Sequence, residues 1–171
     1  MNYFTDGDNR LETRDRNLEF ASEFQSSDKI TIKLEENVER LVDPFNIARG
    51  VRIPAGTYKA RTFVTEFQVG QQRRASGTWS IETGPFYNGR NTAVGYSGAR
   101  VKVSPHLAFE PGFSVNHVTL PYGDFTTKLL STRTTYTVTP LMFVSGLVQY
   151  NSSNNSFTSR SEEHTSELQS H

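Results

Sequence analysis

Apolar and polar residues alternate along eight separate segments of this chain, and a period of two is what a strand with two chemically different faces requires. Asn17–Gln25 sets Leu18, Phe20 and Phe24 against Glu19, Glu23 and Gln25, and Lys29–Glu35 sets Ile30, Ile32 and Leu34 against Lys33 and Glu35. Tyr58–Val69 aligns Phe63, Phe67 and Val69, and Gly77–Thr83 opposes Trp79 and Ile81 to Ser80 and Glu82. Ala93–Val103 alternates Val101 and Val103 with Arg100 and Lys102. Leu107–Thr119 is the clearest case, with Leu107, Phe109, Phe113 and Val115 opposing Glu110, Ser114 and Asn116. Phe125–Val138 carries Leu130, Tyr136 and Val138 against Ser131 and Arg133, and Phe143–Asn151 carries Val144, Val148 and Tyr150 against Ser145 and Gln149. Helical periodicity is weak throughout. The expected fold is therefore all-β: an antiparallel up-and-down meander of about eight long strands.

The connections between these segments read as short and long in turn. Gln25–Asp28, Gly70–Arg73, Ser104–His106 and Thr139–Leu141 are short, whereas Glu36–Gly56, Gly84–Arg90 and Leu120–Asp124 read as longer loops. Such a rhythm suits a barrel in an outer membrane, with tight turns on one side and larger loops outside. In that setting the apolar face meets lipid and the polar face lines the lumen. Phe20, Ile32, Trp79, Val101, Phe109, Phe113 and Val148 would then face lipid, and Glu19, Lys33, Arg100, Lys102, Glu110, Asn116 and Arg133 the lumen. Lys59 and Arg61 share the parity of Phe63 and Phe67, which places them as markers of the membrane edge. The alternative is a soluble all-β module binding a ligand or carbohydrate, in which the aromatic face is an ordinary core. The chain contains no run of about 18 apolar residues, so a spanning helix is excluded and a spanning barrel is not.

The last twelve residues, Arg160–His171, read RSEEHTSELQSH, and the first eleven match one translated frame of a common DNA-sequencing adapter. They are expected to be an artefactual tail without a strand partner, following a barrel fragment over 1–159. Without Arg160, Glu162, Glu163 and Glu167 the count falls from 18 basic and 18 acidic residues to 17 and 15. A balance of about +2 gives no electrostatic case for nucleic acid as a partner.

No catalytic constellation emerges. Cysteine is absent, which removes thiolate nucleophiles and thiolate metal sites. His106 stands beside Pro105 in a turn, and His117 falls on the apolar face of its strand. Neither has a partner nearby in sequence. Glu35, Glu36 and Glu39 lack the Asx-rich ligand loop and turn glycine of a calcium site, so they read as part of a solvated external loop. Gly84-Pro85-Phe86-Tyr87-Asn88-Gly89 is turn punctuation, in which Phe86 or Tyr87 is the candidate for stacking on a sugar. The expectation is no enzyme, no cofactor and no metal.

Several stretches together resemble one family. They are Phe143–Ser152, Gly70-Gln71-Gln72-Arg73-Arg74 with Ser76-Gly77, Phe86-Tyr87-Asn88-Gly89, and Ser131-Thr132-Arg133. They are similar, in the same order along the chain and over nearly all of Leu11–Ser159, to the C-terminal barrel of an uncharacterised bacterial outer-membrane family. Its full-length members look like a secretory signal, a domain resembling family-9 carbohydrate-binding modules, and then the barrel. The resemblance implies an outer-membrane location and lipid as partner. Glycan or peptide would be handled through the carbohydrate-binding-like domain, which this chain lacks, or through external loops. The family's closing strand would follow Tyr150-Asn151-Ser152, where this chain turns into the adapter-like tail.

Overall fold

The structure, a computed structural model, describes residues 2–5, 11–139 and 142–165. Among the described residues twelve strands occur: β1 (Asn2–Thr5), β2 (Leu11–Glu23), β3 (Lys29–Leu41), β4 (Phe45–Ala48), β5 (Val51–Ile53), β6 (Gly56–Val69), β7 (Ala75–Phe86), β8 (Gly89–Lys102), β9 (Leu107–Leu120), β10 (Gly123–Thr139), β11 (Met142–Asn151) and β12 (Ser156–Thr165). Ten form one antiparallel sheet in the order β1-β2-β3-β6-β7-β8-β9-β10-β11-β12, and β4 pairs with β5 in a separate hairpin. The all-β meander is thus present. The eight expected segments correspond to β2, β3 and β6 through β11, each in sequential neighbour order once the small hairpin is set aside.

The rhythm of connections differs from expectation. Gly84–Arg90 and Leu120–Asp124 are not loops, because β7 and β8 are joined by Tyr87-Asn88 alone, and β9 and β10 by Pro121-Tyr122 alone. Tyr87 adopts a left-handed backbone, φ 49°, and Gly123 takes φ 138°, so both hairpins close within two residues. Gly89 is needed beside the first turn, since a Cβ there would lie 1.8 Å from the Thr119 carbonyl oxygen. Glu35, Glu36 and Glu39 likewise lie within β3, not in a solvated loop. Of the three expected long loops, the first persists as a long connection over 42–55, and it contains β4 and β5.

At the opposite end the turns Phe24–Asp28 and Gly70–Arg74 are fastened together. The Asp28 carboxylate accepts from the Gly70 N–H at 2.9 Å, the Ser26 hydroxyl at 2.9 Å and the Arg73 guanidinium at 2.6 Å. Gln72 also donates to the Ser26 carbonyl. These bonds, the Gly70 amide first, hold the Asp28 carboxyl below its ordinary range against an opposing contribution from burial.

The tail contradicts expectation. Arg160–Thr165 continue β12 in register with β11, from Arg160 opposite Leu147 to Thr165 opposite Met142. Backbone pairing asks little of side-chain identity, so an available strand edge recruits a segment of almost any sequence. On the aromatic face β12 offers Phe157 as its one apolar residue: the positions opposite Val148, Gly146, Val144 and Met142 are Ser159, Ser161, Glu163 and Thr165. Leu168 falls outside the described residues.

Candidate functional site

Register assigns each residue to a face of the ten-stranded sheet, because directly opposed residues point the same way. One face carries a single aromatic and aliphatic row across eight strands: Ile30, Phe67, Trp79, Tyr96, Phe113, Leu130, Tyr150 and Phe157 are opposed in succession. Trp79 stacks on Tyr96 with ring centroids 4.5 Å apart and meets Phe113 edge-on at 5.8 Å. The Tyr96 ring also covers Gly77, where a Cβ would lie 2.6 Å from it. Phe20, Ile32, Val101, Phe109 and Val148 occupy this same face by register. Much of the face is exposed: Phe20 is 63% exposed, Trp79 46%, Ile81 54% and Phe157 70%, while Ile30, Tyr96, Phe113 and Tyr150 are half-buried.

The other face holds Glu19, Lys33, Arg100, Lys102, Glu110, Asn116 and Arg133. The structure gathers them into two groups. Lys33 stands opposite Glu19 and binds Glu66 at 3.1 Å. Arg100, Lys102 and Glu110 border a concavity of about 330 Å³, and Glu110 with Arg133 borders another of about 390 Å³ beside the bulge over Ser97–Arg100. Asn116 stands between the groups, its side-chain amide donating to the Thr127 hydroxyl at 3.3 Å.

The strongest packing lies at the loop end of this charged face. The β4–β5 hairpin folds onto it, so that Val51 and Ile53 pack with Val118 and Leu120, joined by Leu41, Tyr58, Phe86, Tyr87 and Phe125. Ile53 is wholly buried. Sequence periodicity missed this because strands of three and four residues carry too little pattern, and because Val118 and Leu120 sit at polar-face parity.

Beside the hairpin runs a trough of about 200 Å³ lined by Asn37, Glu39, Tyr58, Ala60, Thr62, Glu82, Gly84, Pro85, Phe86, Tyr87 and Asn91. It forms where the β6–β7 ladder ends at Phe63 opposite Thr83, although both strands run further. Pro85 has no N–H to extend the ladder. Small residues make the floor and rings the wall. Phe86 and Tyr87, the candidates for sugar stacking, are held in edge-to-face contacts with each other at 4.8 Å and of Tyr87 with Tyr58 at 4.9 Å. Burial, and then the neighbouring Glu39 carboxylate, push the Tyr87 phenol above its usual range, so it stays neutral and donates to Glu39 at 3.4 Å. The buried side-chain oxygen of Asn91 has no partner. Glu39, Glu82 and Asn91 therefore make the trough rich in acceptors, suited to a ligand that brings N–H or O–H donors.

His106 and His117 are used locally. His117 bonds Thr126 at 2.9 Å, and His106 bonds the Thr137 carbonyl at 3.0 Å. Among the described residues no group of three His, Asp or Glu side chains could hold a metal ion, and no helix is long and apolar enough to cross a membrane, which says nothing of strands. No protein-family model matches the chain, and neither a curated protein nor a solved structure matches it.

Proposed function

We propose that these strands form an arc of a bacterial outer-membrane β-barrel, with the aromatic face on lipid and the charged face on the lumen. The observation that carries this reading is where the chain spends its own cover. The β4–β5 hairpin packs over the charged face, whereas no element of the described chain covers the row from Ile30 to Phe157, in which Phe67, Trp79, Leu130 and Phe157 are exposed and Ile30, Tyr96, Phe113 and Tyr150 half-buried. In water an apolar face of this breadth demands a second layer, as a soluble binding module would supply. A hydrocarbon slab removes that demand. Phe20, Ile32, Trp79, Val101, Phe109, Phe113 and Val148 then meet acyl chains, and the lumen is lined by Glu19, Lys33, Arg100, Lys102, Glu110, Asn116 and Arg133. Strands of 12 to 17 residues, as in β6 through β10, are long enough to cross at a tilt.

Among the described residues the edge strands β1 and β12 do not pair with each other. Free edges are intolerable in lipid, so closure takes strands other than these ten. On this reading 1–159 belong to the barrel and 160–171 are an artefactual tail. Family membership with the uncharacterised outer-membrane barrels described above belongs to the same proposal. So does a role without enzymatic chemistry, in which the acceptor-rich trough beside the hairpin meets a glycan or peptide.

The absence of native cysteine makes the test direct. Val94 and Ala93 are neighbours on opposite faces of β8. A polarity-sensitive probe attached at Val94→Cys should be quenched by a lipid-borne quencher in vesicles, and the same probe at Ala93→Cys should be quenched only from the aqueous side. The reverse pattern, or aqueous quenching at both, would refute the orientation.

A further inference from the structure

Among the described residues, most cationic side chains of the aromatic face lie toward one end of the sheet. Arg16, Arg40, Lys59, Arg61 and Arg90 stand toward the end that carries the 42–55 connection, where Glu36 and Asp124 also lie, and Lys128 lies further in, on the row of Val115, Val94 and Ile81. At the other end the same face offers Val69, Leu107, Tyr136 and Val144. Within this basic margin, Arg61, Phe63, Thr83, Pro85 and Arg90 surround an open concavity of about 380 Å³, on the opposite side of the sheet from the trough. It exists because the β6–β7 ladder stops at Phe63 and Thr83, and because Pro85, in register with Arg90, is too short to fill the gap.

Both guanidiniums keep donors to spare. Arg61 uses one terminal nitrogen on Glu36 at 3.0 Å, and Arg90 uses Nε on the Thr83 hydroxyl at 3.3 Å. A guanidinium has five N–H donors in a planar fork suited to phosphate oxygens. Phe63, 45% exposed, forms the apolar flank of the same concavity. Lys59 and Arg61 border an adjoining hollow of about 350 Å³.

We propose that this concavity binds the phosphate of an anionic membrane lipid, with Arg61 and Arg90 as the clamp and Phe63 against the start of an acyl chain. The proposal rests on the lipid-facing assignment of the aromatic face. Lipid is favoured over free phosphate because the site is open and Phe63, opposite Thr83, lies one row inward from the Pro85–Arg90 pair, on the side of the aromatic row. A small anion could use the charges but not the ring.

The test uses the intact protein, closing strands included, in nanodiscs of zwitterionic phosphatidylcholine doped with a lipid bearing a phosphomonoester headgroup. Retention of that lipid is read by native mass spectrometry. Each basic residue at an anionic surface is worth about fivefold, so R61Q/R90Q together should lower retention by about 30-fold. Arg74→Gln, in a turn at the opposite end, should leave it unchanged, and millimolar inorganic phosphate should not compete. Equal retention by R61Q/R90Q in normally inserted protein overturns the clamp alone. Competition by inorganic phosphate at the level of the lipid overturns the lipid as occupant. Failure of the wild-type protein to insert into phosphatidylcholine overturns the membrane reading, and the clamp with it.

Discussion

Replacing Ile81 by Arg separates a lipid-facing surface from a watery one by its magnitude. Ile81 lies opposite Thr65 and Val94, on the row next to the aromatic one, and is 54% exposed. It precedes Pro85, the partner of Arg90, by four residues, or about 14 Å of strand at ~3.4 Å per residue. With strands tilted by about 40°, that is roughly 10 Å below the level of the basic margin. An arginine that deep in hydrocarbon costs about 2–4 kcal/mol. At ~3 kcal/mol the folding equilibrium shifts by about 150-fold. If the face meets water instead, the loss is confined to the half-buried part of one isoleucine, about 1 kcal/mol. Ser80→Arg is the control, one residue away on the charged face and opposite Glu66. Urea titration of the intact protein in phospholipid vesicles, followed by tryptophan fluorescence, measures both variants. A penalty for Ile81→Arg within about 1 kcal/mol of that for Ser80→Arg would sink the assignment of this face to lipid.

Other predictions concern the ends of the sheet. Ile53→Ala should cost about 2–5 kcal/mol of hairpin docking, since the side chain is wholly buried, and hydrogen exchange should show 42–55 released while the central strands stay protected. Gly89→Ala should destabilise the β7–β8 hairpin by about 1–3 kcal/mol, as its Cβ meets the Thr119 carbonyl; a melting temperature equal to wild type would contradict this. The lowered pKa of Asp28 means that its contribution is complete above the ordinary aspartate range and is lost as pH falls through the depressed folded value. Asp28→Asn should therefore flatten the acid limb of the stability profile, and an unchanged limb would deny Asp28 that role. Glu39→Gln should lower the Tyr87 phenol toward its ordinary range, visible as earlier ionisation in ultraviolet titration.

The two faces were legible in the sequence because alternation is a local property. Side chains two residues apart must share a face, whatever the strand pairs with. Phe109, Phe113 and Glu110 reveal their division within five residues of chain, and the bulge at Ser97–Arg100 does not disturb it. Turn lengths were less legible. Tyr87 carries no sign that it will accept φ 49°, so the Gly84–Arg90 stretch reads as a loop although β7 and β8 run through it.

What the sequence alone determined was the all-β class, the meander and the membership of each face. Only the tertiary structure decided which residues of different strands share a row, because that depends on interstrand register, summed over every pair. Trp79, Tyr96 and Phe113 become one cluster in this way. The same holds for the basic concavity, where Arg61 and Arg90 are 29 positions apart in the chain and meet because β6 and β7 part above Phe63 and Thr83. The hairpin on Val118 and Leu120 is also a tertiary outcome. Two apolar residues at polar-face positions signify nothing until Val51 and Ile53 are brought to cover them.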